Sequence, residues 1–426
     1  MSDIQTQLAA AIGLENVSDN LPTSISEVIK AKSLPACVAS PATVKDLSKA
    51  IALANQNEWR ILTIGQGSKL TWGGLAENID VVISTAKLNQ IIDHAVGDFT
   101  VTVQPGIKLA ELQRVLAEKG QFLATDPAFF ETATLGGLVA TADAGSLRQR
   151  YGGVRDMLIG IQFARYDGEL ARAGGKVVKN VAGYDLMKLM TGAYGTLGVL
   201  SELTFRLYPQ MSNLRSLILS GPLASLKAAA AEIRYSGLTP IAFDVISKQV
   251  ANALLPESAK THAAVVRFQG VAEGVAEQAE RVQKMANTHN LTLQQLEKDE
   301  DEQFWRNSAE LIRADRFLCK VGLKPSAIPS LLALIDDVAP QVQARLYGSV
   351  GLGWLQAQDS FDWIEKVRSH CEQNSGFLTI LQAPKSLKEQ TDVWGYSGNA
   401  IAPMRSIKGK FDPKRLLSPG RFVDRI

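Results

Sequence analysis

The sequence predicts an α+β protein of more than one domain. With 426 residues the chain is longer than one hydrophobic core usually supports. Its apolar spacing switches repeatedly between the two-residue period of strands and the 3.6-residue period of helices. From about residue 213, one order of elements, β-α-β-β-α-β, runs through twice.

Taken in order, residues 1–24 read as a helical lead-in. Residues 40–57, SPATVKDLSKAIALANQN, predict a capped amphipathic helix. Thr43 is the N-cap, Asp46 sits three residues on, and Val44, Leu47, Ile51 and Ala54 form one apolar stripe. A β-branched strand then enters a glycine-rich turn in RILTIGQGSKLTWGG, residues 60–74. Strands follow at 81–85 and 99–106, the second stopped by Pro105-Gly106. KLAELQRVLAEKG is a helix with Leu109, Leu112 and Leu116 inward and Gly120 at its close. Residues 121–207 are dense in glycine and end in a strand before Pro209. The two β-α-β-β-α-β passes fit two ferredoxin-like units sharing an antiparallel sheet with helices on one face. The basic, turn-rich end, IAPMRSIKGKFDPKRLLSPGRF, has no domain-sized core and is expected to pack back on an earlier unit.

Composition narrows the function. The chain is 46% hydrophobic and 21% charged with a net charge of +2, so nothing points to nucleic acid or an anionic membrane as partner. Its N-terminus is a poor signal peptide and no apolar run is long enough to span a bilayer, which leads us to expect a cytoplasmic protein. Cys37, Cys319 and Cys371 lie far apart without a C-x-x-C, so no iron–sulfur cluster or structural zinc is expected. His94, His262, His289 and His370 are equally scattered, and no metal is expected.

A strand followed by a glycine turn suggests main-chain amides around a phosphate. The loop lacks the G-x-x-x-x-G-K-[ST] of a Walker A site. It also lacks the third glycine of the G-x-G-x-x-G fingerprint, Leu70 standing in its place. Alone, GQGS fits an ordinary surface turn as well as a phosphate cradle.

It is not alone. Downstream come Thr134-Leu135-Gly136-Gly137, Arg155-Asp156, Lys179-Asn180, Gly183-Tyr184-Asp185-Leu186 and Gly195-Thr196-Leu197-Gly198. The end carries Asp412-Pro413 and Leu417-Ser418-Pro419-Gly420-Arg421. In this order the set resembles the vanillyl-alcohol oxidase/p-cresol methylhydroxylase type of FAD-binding family. Within it the likeness is greatest to the smaller flavin-type subunit of glycolate oxidase (glycolate dehydrogenase). The tail resembles the family's D-P…N-P-G-K, with Ser418 and Arg421 in place of Asn and Lys.

The resemblance implies an FAD-binding domain over residues 25–210, in two subdomains divided near 87. It implies a cap domain over 211–390 and a tail over 391–426 that packs on the FAD domain. It implies cofactor contacts from Ile64, Gly65, Gln66, Gly67, Ser68 and Lys69 at the diphosphate. Lys69 could add a point charge or be merely solvated, and Ser68 could donate its hydroxyl or simply stabilise the turn. Thr134, Leu135, Gly136 and Gly137 would pass under the ring system and ribityl chain, or else serve turns between strands. Gly195, Gly198 and Val199 would flank the adenine half. Tyr184 and Lys179 would lie near the isoalloxazine, or Tyr184 in the core. Pro127, Gly145, Tyr151, Gly152 and Asp156 complete the set. The family's covalent attachment commonly uses a histidine near the diphosphate loop; IGQGSKL has none, so FAD is expected to be non-covalent.

Relatives that oxidise 2-hydroxy acids carry a metal-binding histidine pair and an H-G-D-G-N-x-H stretch in the cap. Residues 211–390 lack that stretch, and their candidate cations are Arg313, Arg316, Lys320 and Arg345. The resemblance therefore implies a subunit that supports oxidation of glycolate to glyoxylate beside a larger flavin subunit and an iron–sulfur subunit. The alternatives are a self-sufficient FAD-dependent dehydrogenase of a small 2-hydroxy acid, and a scaffold that has lost its flavin.

Overall fold

The computed structural model describes residues 2–30, 33–175, 183–255, 261–358 and 361–426. Helix Val44–Gln56 opens with Thr43 Oγ1 accepting the Asp46 N–H at 3.1 Å. It buries Leu47, Ala50, Ile51 and Ala54 against a small sheet. That sheet comprises β1 (Val17–Ser18), β2 (Val38–Ala39), β3 (Ile61–Ile64) and β4 (Val81–Ser84) in the order β1-β2-β4-β3. Both β2 and β3 pair parallel with β4, and every residue of β4 is buried. A strand covered on both faces needs the continuous apolar run VVI rather than alternation.

The chain then builds a second, antiparallel sheet. Its strands are β5 (Ile91–Ala95), β6 (Thr100–Val103), β8 (Leu158–Ala164), β9 (Leu170–Gly174) and β10 (Val199–Arg206). They lie in the order β5-β6-β10-β8-β9, and β7 (Gln121–Phe122) pairs separately with β11 (Tyr208–Pro209). Helices Leu109–Ala117 and Leu135–Thr141 supply Leu112, Leu116 and Leu138 to its core beside Val101, Leu203 and Phe205.

The third sheet has eight strands: β12 (Asn213–Gly221), β13 (Ala242–Ile246), β14 (His262–Gly270), β15 (Thr292–Glu297), β16 (Phe317–Gly322), β17 (Gln343–Tyr347), β18 (Leu352–Ala357) and β19 (Phe377–Gln382). Their order, β15-β12-β14-β13-β17-β18-β16-β19, is a mirror sequence. Each half runs fourth, first, third, second, and the second strands β13 and β17 join the halves. Alternation sorts the side chains: Leu217, Phe243, Val266, Leu346 and Cys319 meet helices Leu223–Tyr235, Ala272–Thr288, Ile328–Val338 and Ile364–Gln373. Their neighbours Ile218, Ile246, Val265 and Leu318 face the other way. Two helices absent from the expected pattern, Lys248–Leu254 and Asp299–Glu310, cover part of this second face with Val250, Ala251 and Phe304. Trp72 and Ala128 of the preceding units cover more of it, so the second face is an interdomain seam.

The tail returns to the first sheet. Ile61 N–H donates to Leu416 O and Ser418 N–H to Ile61 O, each at 2.8 Å, extending the edge of β3. A buried clamp fixes it: Lys408 Nζ donates to Asp412 Oδ2 at 2.6 Å, Thr196 O at 2.8 Å and Leu417 O at 2.9 Å. Asp412 in turn accepts the Leu416 and Leu417 N–H groups at 3.0 and 2.8 Å. Among the described residues no helix is long and apolar enough to cross a membrane.

Removing Asp412 leaves the buried Lys408 ammonium without its counter-charge, held only by the carbonyls of Thr196 and Leu417. Asp412→Ala should therefore destabilise the protein by about 3 kcal/mol or more, read as a lowered midpoint in urea. A midpoint equal to wild type would show that the clamp does not hold the tail.

Candidate functional site

The loop leaving β3 is built so that main-chain amides stay unused. Among the described residues the N–H groups of Gly65, Gln66, Gly67, Ser68 and Lys69 have no acceptor, while Leu70 N–H turns back to Gly67 O at 3.0 Å. Opposite stands Thr134, whose Oγ1 accepts the Gly137 N–H at 3.2 Å and caps the following helix. A Cβ on Gly65 would fall inside the contact radius of that Oγ1, so only glycine lets the two segments come this close.

Between them lies a cavity of about 70 Å³ lined by Ile64 to Leu70, Thr134 and Gly137. A second of about 70 Å³, lined by Gly136, Tyr194, Gly195 and Gly198, shares Ile64, Gly65 and Gly137 with it. Free amides converging on a small-residue channel fit a dinucleotide diphosphate. Lys69 is not solvated on the loop: its ammonium lies 2.7 Å from Asp143 Oδ2 and 5.4 Å from the centre of the Trp72 ring.

A larger cavity, about 120 Å³, sits between residues 126–148 and the open face of the eight-stranded sheet. It adjoins the loop cavity, Thr141 lining both. Its charges are mostly matched. Arg345 donates to Asp244 Oδ2 at 2.7 Å and Ser146 Oγ at 2.8 Å. Arg267 pairs with Asp301 through Nε at 2.9 Å and lies over Trp305. Asp126 accepts the Ser146 and Leu147 N–H groups at 2.8 and 3.1 Å, and burial pushes its carboxyl up to about 7. Two cations are left over. Among the described residues neither Lys320 nor Arg148 has a hydrogen-bond or ion-pair partner. Burial, with the nearby Arg148 charge, lowers the Lys320 pKa against the attraction of Asp143.

The histidines lie elsewhere. His94 bonds Gln121 at 2.9 Å, His262 Asp336 at 3.0 Å, His289 Glu232 at 2.7 Å and His370 Ser330 at 3.1 Å.

The structure thus gathers Ile64, Gly65, Gln66, Gly67, Ser68, Lys69, Thr134, Gly136, Gly137, Gly195 and Gly198 around the two loop cavities. Pro127 and Gly145 line the larger one instead. Leu135 and Val199 are core residues. Tyr151 hydrogen-bonds Gln269 at 3.1 Å, and Asp156 closes its own turn by accepting the Gly153 N–H beside Gly152. Tyr184 is 88% exposed, so its side chain is not in the core. Lys179 lies outside the described residues. Of the expected cap cations, Lys320 and Arg345 reach the cavity, whereas Arg313 pairs with Asp315 on the surface. Asp126, Asp143, Arg148 and Asp244 went unnoticed in the sequence; a lone carboxylate inside the apolar strand AFDVI was the available signal for the last.

Residues 35–174 match the FAD binding domain family, and residues 393–422 match the C-terminal domain of FAD linked oxidases. The glycolate oxidase subunit GlcD of Bacillus subtilis is 25% identical over 457 aligned residues, covering 99% of this chain and 96% of that one. A D-2-hydroxyglutarate dehydrogenase of Xanthomonas citri pv. viticola is 28% identical over 428, covering 92% and 89%. In fold, the chain superposes on p-cresol methylhydroxylase with a TM-score of 0.77 at 14% identity, over 98% of this chain and 96% of that one.

Gly65→Ala tests the close approach. It should lower stability by about 1–3 kcal/mol, since the Thr134 side chain has to move, and weaken FAD binding at least tenfold in a fluorescence titration. Unchanged binding and midpoint would show that the two segments have room to spare.

Proposed function

We propose, for a chain that belongs to the FAD-linked oxidases with a p-cresol-methylhydroxylase-type FAD-binding domain and is an FAD-dependent oxidoreductase, that its substrate is a small 2-hydroxy acid. The observation that carries this reading is the pair of unpartnered cations, Lys320 and Arg148, in the cavity beside the glycine loop. A substrate carboxylate is the group such cations neutralise. The volume suits an acid of roughly two or three carbons. The two relatives named above are, by their names, enzymes of glycolate and D-2-hydroxyglutarate.

In this reading the amides of Gly65 to Lys69 hold the FAD diphosphate, with no covalent bond to the loop, and Gly136, Gly137, Gly195 and Gly198 border the rest of the cofactor. FAD, when bound, supplies the two-electron acceptor. Lys320 and Arg148 seat the carboxylate from opposite walls. Asp126, its carboxyl near 7, is positioned to take the hydroxyl proton. The seam between sheet and FAD domain sets Trp72, Trp305 and Trp354 as apolar walls of this cavity.

A second reading draws on the histidines, all four of which are engaged away from the cavity. There the main oxidation belongs to a larger flavin subunit, and this chain supports it and passes electrons towards an iron–sulfur subunit.

Anaerobic addition of glycolate or D-lactate to the purified flavoprotein separates the two. Bleaching of the oxidised-flavin band is expected, with Lys320→Met needing at least tenfold more acid. A band that stays put would leave only the second reading. The bleaching rate should also rise with pH through about 7 as Asp126 loses its proton, and Asp126→Asn should remove that rise. A rate independent of pH between 6 and 8 would rule Asp126 out as proton acceptor.

A further inference from the structure

Residues 70–74, which continue the glycine loop, are held from two sides by buried cations. Arg421, from the tail, donates to the carbonyls of Leu70 at 2.8 Å, Trp72 at 2.6 Å and Gly74 at 2.7 Å. Lys388, from helix Lys385–Gln390, donates to the alternate carbonyls, those of Thr71 and, at 2.8 Å, Gly73, and to Leu381 O at 3.2 Å. Every carbonyl of the segment is thereby taken. Arg421 is 5% exposed and Lys388 9%, and neither has a carboxylate partner. The contrast with the nearby Lys408–Asp412 clamp is sharp, since there the positive charge is matched inside the protein.

Two buried positive charges answered only by carbonyl dipoles are costly to assemble. What would neutralise them is an anion close by. Arg421 lines the same small cavity as Gly65 to Leu70. We propose that Arg421 and Lys388 form a cationic bracket that fixes the loop and supplies the buried positive charge matched by the FAD diphosphate. Both are positioning residues that act through residues 70–74, and the inference rests on the reading that Gly65 to Lys69 hold the diphosphate.

The consequence is a proton coupled to cofactor binding. Burial and the Arg421 charge lower the Lys388 pKa to about 7, and burial brings Arg421 down to about 10. Glu389, Asp392, Glu77, Asp424, Arg425 and Lys30 line the adjoining surface cavity, and none of these carboxylates bonds the ammonium. A dianion bound beside the bracket raises the proton affinity of Lys388, whereas the diphosphate diester itself has no proton to exchange near neutrality. FAD binding should therefore take up protons, and affinity should fall as the pH rises above 7.

The test is calorimetric titration of FAD into FAD-depleted protein at pH 7.5, in buffers of different ionisation enthalpy. Uptake of about half a proton per FAD is expected. Lys388→Met should abolish it and weaken FAD at least tenfold at pH 6.5, with Arg421→Lys weakening it several-fold. No proton uptake by the wild type would overturn the proposal whether or not the variants fold, as would wild-type affinity in Lys388→Met. Ser68→Asp, which sets a negative charge on the loop itself, should also weaken FAD. If it does not, the diphosphate lies elsewhere and the underlying reading fails; if it alone weakens FAD, only the bracket fails.

Discussion

Close approach at two glycines, to the Thr134 side chain at one and to the main chain of the tail at the other, is the constraint on which the rest of this molecule turns. At Gly65 the glycine loop meets Thr134, and at Gly74 it meets the tail, where a Cβ would strike Gly420 O. Neither approach survives a larger residue, and neither holds itself: backbone brought this close needs its carbonyls and amides satisfied from outside. The structure answers with side chains from distant sequence. Lys408, Arg421 and Lys388 all donate to carbonyls, and all come from the last 39 residues, which contribute little apolar core but close the molecule.

The mirror arrangement of the large sheet explains how a two-fold pattern makes a one-sided site. Strands β13 and β17 meet at the centre, where Asp244 from one half faces Arg345 from the other across 2.7 Å. Arg267 on β14 and Lys320 on β16 lie on the same face, because each alternates with residues that enter the helix-covered core. One repeat supplies carboxylate Asp244 and cation Arg267, the other Lys320 and Arg345. The seam between repeats is thus also the roof of the cavity, and the apolar face that an isolated sheet would expose is covered by the FAD domain.

Much of this was legible in the residues themselves. The helix after Thr43, the strand into GQGS and the two β-α-β-β-α-β passes follow from local spacing and capping. The glycine motifs likewise announced a close-packed cradle, and the loop cavities gather most of them. What local pattern does not carry is partnership. Lys69 looks like a solvated loop lysine until Asp143 is placed beside it. Val199 and Leu135 sit inside recognisable motifs yet serve the core, since the residue next to a functional glycine is as often the one that anchors it. Helix Lys248–Leu254 is hard to read because it is short, and Asp299–Glu310 because its start is strongly acidic, DEDEQFW, with few apolar residues to announce its buried side. Yet the sequence does hold a signal for the cavity: AFDVI, VVRF, FLCKV and ARLY each set one charge among apolar strand residues.

The pattern of satisfied and unsatisfied charge then separates structure from function. Burial penalises an ion wherever it stands, so a fold keeps buried charge only where a partner or a ligand repays the loss. Arg345, Arg267, Lys69 and Lys408 each have a carboxylate within reach, and each serves to join segments remote in sequence. Lys320 and Arg148 in the large cavity, and Arg421 with Lys388 under the loop, do not. The first pair faces the space sized for a small acid, and Arg421 lines the cavity of the free amides of Gly65 to Lys69, the two cavities meeting at Thr141. On the proposed reading, holding two anions, a dinucleotide and a carboxylate, in adjoining sites requires positive charge in both places, left unpaired by the protein itself.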